Sequence, residues 1–104
     1  MDIIKNLESL LHREQDNALI HYSLGNEYLR AKKFPEAIRH LNRAVELDPG
    51  YSAAWKLYGK ALSGNNRINE AIKVFEKGMA VAEKKGDVQA AKEMKVFLKR
   101  LKKQ

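Results

Sequence analysis

The stretch ALIHYSLGNEYLRAKKFPEAIRHLNRAVELDP, Ala18 to Pro49, decides the fold because much of it recurs 34 residues later. That shift carries Gly25 onto Gly59, Ala37 onto Ala71, Leu41 onto Phe75 and Ala44 onto Gly78, each pair alike in size, and carries His21 onto Trp55. Self-similarity at such a period marks a stacked array of small units, none of which buries its apolar face alone. The residue types define the unit. Two antiparallel helices approach closely only where one presents little side chain, as Gly25, Gly59, Ala37 and Ala71 do. Tyr28, Leu41, Trp55, Tyr58 and Phe75 then fill the layers between successive pairs.

Punctuation places the helices near 2–13, 17–31, 34–47, 52–63, 68–84 and 87–102. Asp48-Pro49-Gly50 ends the third, since proline biases the residue before it away from helical angles. Pro35 suits a first turn, where its missing N–H has no partner to lose. Gly64-Asn65-Asn66 predicts the tight turn inside the second unit, and Gly86 followed by Asp87 reads as a helix end and the next N-cap.

Two units are fewer than the roughly three that hold an array together, so the flanks have to complete the core. Ile3, Leu7, Leu10 and Leu11 form an apolar stripe on a helix beginning near Asp2, read as an N-terminal capping half-repeat. Val88, Ala91, Met94, Phe97, Leu98 and Leu101 form a second stripe, opposed by Lys92, Lys95, Lys99, Lys102 and Lys103, which predicts an amphipathic capping helix. Gln89 and Glu93 stand where a third unit needs its large residue and its glycine, so no third repeat is expected.

With His21, Leu24, Gly25 and Tyr28 on its first helix and Ala37, Leu41, Ala44 and Pro49 after them, the first unit resembles the tetratricopeptide-repeat (TPR) family. The second unit answers with Trp55, Tyr58, Gly59, Leu62, Ala71, Phe75 and Gly78. His21, in the family's large-residue position, and Glu83, in place of the closing proline, are departures. The resemblance implies an all-α fold, a right-handed superhelix of antiparallel helix pairs. It would be one domain over 1–104, with capping helices at 2–13 and 87–102 and repeats at 18–51 and 52–85. It also implies a protein–protein interaction module, an adaptor or scaffold whose concave groove takes an extended or helical peptide. The groove positions correspond to Leu19, Tyr22, Asn26, Leu29 and Arg30 in the first unit and Ala53, Lys56, Lys60 and Ser63 in the second. Some members clamp the carboxylates of heat-shock chaperone tails. The corresponding residues here are Tyr22, Asn26, Leu57, Asp87 and Ala91, of which Asn26 alone agrees, so that ligand is not expected.

Lys56 and Lys60, one turn apart, favour an acidic or C-terminal segment as the partner, with Tyr22 offering a flat surface and Asn26 an amide grip. The formal net charge of +7 is uneven: residues 1–52 hold 7 basic and 8 acidic side chains, residues 53–104 hold 13 and 5. Nucleic acid is therefore an alternative partner, through Lys92, Lys95, Lys99, Arg100, Lys102 and Lys103, although Phe97 is the one aromatic there and stacking is poorly served. A second copy of the chain is another, covering an edge at Met79, Val81, Met94 and Phe97.

Other classes find little support. The chain holds no cysteine, and His12, His21 and His40 lack the spacing of metal ligands, so neither a metal nor a cofactor is expected. His21 is expected to fill the interhelical slot that Trp55 fills in the second unit. No nucleophile elbow, phosphate-binding loop or zinc-protease motif is present, and an enzyme is not expected. Charges interrupt the N-terminal apolar residues and every longer run, which predicts a cytoplasmic protein with no secretion signal and no membrane span.

Overall fold

A computed structural model describes residues 2–14 and 16–103. The single-domain span expected from the sequence also includes Met1, Gln15 and Gln104, which lie outside the described residues. Among the described residues six helices follow one another: α1 Ile3–Glu14, α2 Ala18–Arg30, α3 Phe34–Leu47, α4 Ser52–Gly64, α5 Ile68–Lys85 and α6 Val88–Lys102. Their ends have identifiable causes. The Asn17 side chain accepts the Ile20 N–H at 3.1 Å to start α2, and Asp87 does the same for Ala90 N–H, also at 3.1 Å, to start α6. Gly86 closes α5 in the left-handed region at φ 77°, as its place before Asp87 suggested.

The two repeats share a turn. Lys32 and Asn66, 34 residues apart, both take left-handed angles (φ 59° and 60°). Past each, the N–H of Lys33 or Arg67 donates to the carbonyl of Tyr28 or Leu62 at 2.9 Å. Packing repeats too. A methyl group placed on Gly25 would overlap Leu41, and one on Gly59 would overlap Phe75, so each glycine admits the large side chain of its partner helix. Leu24, Leu41, Leu62, Phe75 and Met94 are the largest side chains fully removed from water. α2 pairs with α3 and α4 with α5. The flanking helices complete the array, α1 against α2 and α6 against both α5 and α4.

Four expectations are revised. Ile3 is 55 % exposed, and α1 turns Ile4, Leu7 and Leu11 to the core instead, because it lies against α2 alone among the described helices. Val88 is 60 % exposed while Ala90 is buried, because Val88 opens α6 directly after its cap and the inward stripe starts two residues later. Met94, suspected of lying on an open edge, is fully buried. Gly64 does not form the turn. It is the last residue of α4, where a side chain would overlap the Phe34 ring, and Asn66 takes the strained angle. The missing closing proline matters as well: with Glu83 in its place, α5 runs for 18 residues against 14 for α3.

Candidate functional site

The first helix of each pair, α2 and α4, lie side by side, and α6 continues the row beyond α4. The residues that the sequence assigns to a groove lie on α2 and α4. Leu19 is 62 % exposed, a large apolar side chain without cover. Tyr22 is half-buried and stacked on Tyr51, with ring centroids 4.8 Å apart. Asn26 and Leu29 are half-buried, and Arg30 is exposed, 3.7 Å from Glu27. Ala53 and Ser63 are half-buried.

The two lysines differ. Lys56 Nζ is bound to Glu93 of α6 at 3.0 Å and its side chain is 23 % exposed. Lys60 is exposed, with its ammonium 5.4 Å from the centre of the Phe97 ring. The Arg100 guanidinium lies 6.0 Å from the same ring, and Phe75 stacks on Phe97 at 5.5 Å. Lys60, Ser63, Phe97 and Arg100 border an open hollow of about 330 Å³. Among the described residues neither Lys60 nor Arg100 forms an ion pair. Arg30 lines a different hollow, with Asp2, Ile3 and Glu27. The six predicted site residues lie on α2 and α4 and do not converge on one cavity.

Glu93, Phe97 and Arg100 of α6 lie beside Lys56 and Lys60, and sequence reasoning missed them there. Helix starts are 34 residues apart from α2 to α4 but 36 from α4 to α6, since α5 is longer and the link after it shorter. Two residues turn a helix by about 200°, so the 34-residue shift sets Glu93 in the place of Gly59, on the wrong side of α6. The length of the polar run before Gly86 was the available signal.

A second polar cluster lies beneath α1. His21 and His40, both buried, approach Nδ1 to Nδ1 at 3.0 Å, and His21 Nε2 is 3.0 Å from Asp16 Oδ1. A carboxylate only accepts, so His21 Nε2 carries a proton; with both rings neutral, His21 then accepts at Nδ1 from His40. In that arrangement His40 Nε2 is a bare lone pair, and among the described residues no partner reaches it. Burial, reinforced by the neighbouring His21, pulls the His40 pKa down to about 4. The hydrogen bond from His21, joined by Arg43, holds Asp16 below the usual carboxylate range. The slot that His21 shares with Trp55 is thus a hydrogen-bonded one: the Trp55 indole donates to the Pro49 carbonyl at 2.8 Å. Among the described residues no three His, Asp or Glu side chains gather as metal ligands, and no helix is long and apolar enough to cross a membrane.

The comparisons agree with this architecture. A tetratricopeptide repeat family model matches residues 28–94. The chain is 46 % identical over 99 residues to the TPR repeat-containing protein PA0015 of Pseudomonas aeruginosa, covering 95 % of this chain and 94 % of that one. Among solved structures it is similar to protein BPP2914 from Bordetella parapertussis, at 40 % identity and TM-score 0.87, over 99 % of this chain and 90 % of that one. It is also similar to the second TPR domain of human RPAP3, determined with an HSP70 peptide, at 29 % identity and TM-score 0.82, over 97 % and 79 %. The chain belongs to the tetratricopeptide-repeat family, a superhelix of helix pairs serving as a protein-binding scaffold.

Proposed function

We propose that the face formed by α2, α4 and α6 holds an acidic segment of another protein, and that this chain is an adaptor, not an enzyme. One observation carries the reading: Lys60 and Arg100 flank the Phe97 ring beside an open hollow, with no ion pair of their own among the described residues. Two cations beside one aromatic ring suit a carboxylate with an apolar neighbour. Leu19, Tyr22 and Asn26 extend the face along α2, with Arg30 at its far end and Lys56, tied to Glu93, in its floor. The peptide bound by the related RPAP3 domain supports a peptide as the class of ligand. The chaperone tail itself is not proposed, because Asn26 alone of the five clamp positions agrees.

The test is a nuclease-treated pull-down from source-cell lysate, comparing the wild type with Tyr22→Ala, Lys60→Glu, both verified as folded by circular dichroism. A protein captured by the wild type and lost by the variant supports this face. Equal capture by both removes it, and a salt-steep capture of nucleic acid would put the alternative partner in its place.

A further inference from the structure

The 34-residue repeat also shows what the second unit lacks. In the first unit the link ahead of α2 is pinned to α3 by a carboxylate: Arg43 Nε donates to Asp16 Oδ2 at 3.0 Å, and His21 holds the other oxygen. Arg43 also reaches Glu46, at 3.3 Å. Shifted by 34, Arg43 becomes Lys77 and stays cationic, whereas Asp16 becomes Gly50 and Glu46 becomes Ala80. The cation is kept and both of its acids are gone.

The structure leaves this place open. A hollow of about 550 Å³ lies between the α3–α4 link and α5, with Pro49, Gly50, Ala80 and Val81 along its surface. Lys77 and the additional turn of α5, which brings Lys84 and Lys85, supply its cations. A Cβ on Gly50 would stand 3.3 Å from Lys85 Nζ, so an ammonium already waits beside the position from which Asp16 projects in the first unit. The nearby Asp48 carboxylate is engaged by the Gly50 N–H, at 3.2 Å. Among the described residues Lys77, Lys84 and Lys85 form no ion pair.

We propose that this hollow, on the side of the second helices, is a second docking site that takes an aspartate or glutamate side chain of a partner protein where Asp16 serves the first unit from within. The charge is complementary and the apolar surface of Pro49, Ala80 and Val81 suits an aliphatic neighbour of that acid. The site is independent of Lys60 and Arg100, which belong to the opposite helices of the pairs.

The probe is acetyl-Leu-Asp-Leu-amide, titrated into the whole isotope-labelled chain and followed by backbone amide resonances, against its asparagine analogue. The aspartate peptide should move Gly50, Lys77, Ala80, Lys84 and Lys85, and bind about tenfold more tightly than the amide analogue, because only the carboxylate makes charge-assisted bonds. Gly50→Asp with Ala80→Glu restores the acids of the first unit, so it should abolish those shifts while leaving the circular dichroism spectrum unchanged. Lys60→Glu should leave them intact. Silence at these amides, equal binding of both peptides, loss of the shifts in Lys60→Glu, or a stronger, salt-steep response to a short oligonucleotide would each overturn the proposal.

Discussion

At the scale of single residues, His40 has the clearest solution consequence. It faces Glu8 from α1, His21 and Tyr28 from α2, and Arg39 on its own helix; burial keeps it neutral, His21 and Arg39 act in the same direction, and Glu8 opposes them. Its folded pKa of about 4 lies below its unfolded value of 6.5, so between those limits the unfolded chain binds more protons. Stability is therefore full above about pH 6.5 and is lost as pH falls toward 4. Between pH 7 and pH 5 the loss from this group alone is of order 2 kcal/mol. The lowered carboxylates Asp16 and Asp87 act in a separate window, as their stabilisation is present above the ordinary aspartate value of 3.8 and fades below it. Urea midpoints at pH 7 and pH 5 read the difference. His40→Asn keeps a donor in the Nδ1 position and removes the titration, so its midpoints should differ much less. An equal drop in both proteins would assign the acid sensitivity elsewhere.

At the scale of elements, the repeated turn offers a direct test. Lys32 and Asn66 hold the same left-handed angle, but a side chain with a Cβ strains there, and asparagine tolerates the region better than lysine. Lys32→Gly should stabilise the protein by roughly 0.5–1 kcal/mol, read as a higher melting temperature, and Asn66→Gly by less. A loss in Lys32→Gly would mean that the lysine stem makes contacts which outweigh its strained angle. This turn also shows how far the sequence could be read. Helix positions and pairing were legible because small residues recur opposite large ones, Gly25 with Leu41 and Gly59 with Phe75, and only one antiparallel pairing brings both sets together. Left-handed angles at Lys32 and Asn66 were not legible, since Gly64 was the better turn former by composition; its lack of a side chain was needed for Phe34 instead. Half of the candidate face was legible as well, from Leu19 to Lys60 on α2 and α4. The α6 half was not, because the two-residue change in helix spacing turns Glu93 from the place of Gly59 toward Lys56, and Phe97 reads as part of the apolar stripe of α6. The His21–His40 pair escaped for a related reason: partners 19 residues apart meet only across the antiparallel pair.

At the scale of the whole molecule, charge is distributed against stability. The first 52 residues are nearly neutral, and the remaining 52 carry an excess of eight cations, 13 against 5. α5 and α6 pack directly on one another, so lysines on both helices repel across and along them. Lys99 has Lys95 one turn before it and Lys102 and Lys103 one turn after, and among the described residues only Lys102 of these is paired, with Glu76 at 3.4 Å. Raising salt from about 0.01 M to about 0.15 M shortens the screening length from about 30 Å to about 8 Å, which weakens repulsion between exposed charges most. The melting temperature should therefore rise with salt. Relief of order 1 kcal/mol would move it by roughly 5 °C in a domain of this size. Lys99→Gln removes like-charge contacts on the exposed side of α6 and should flatten that rise, whatever it does to stability at a single salt concentration. A melting temperature that fell with salt would reverse the ranking of terms. It would mean that the ion pairs joining elements, Asp16 with Arg43 and Lys56 with Glu93, outweigh the repulsion of the excess cations.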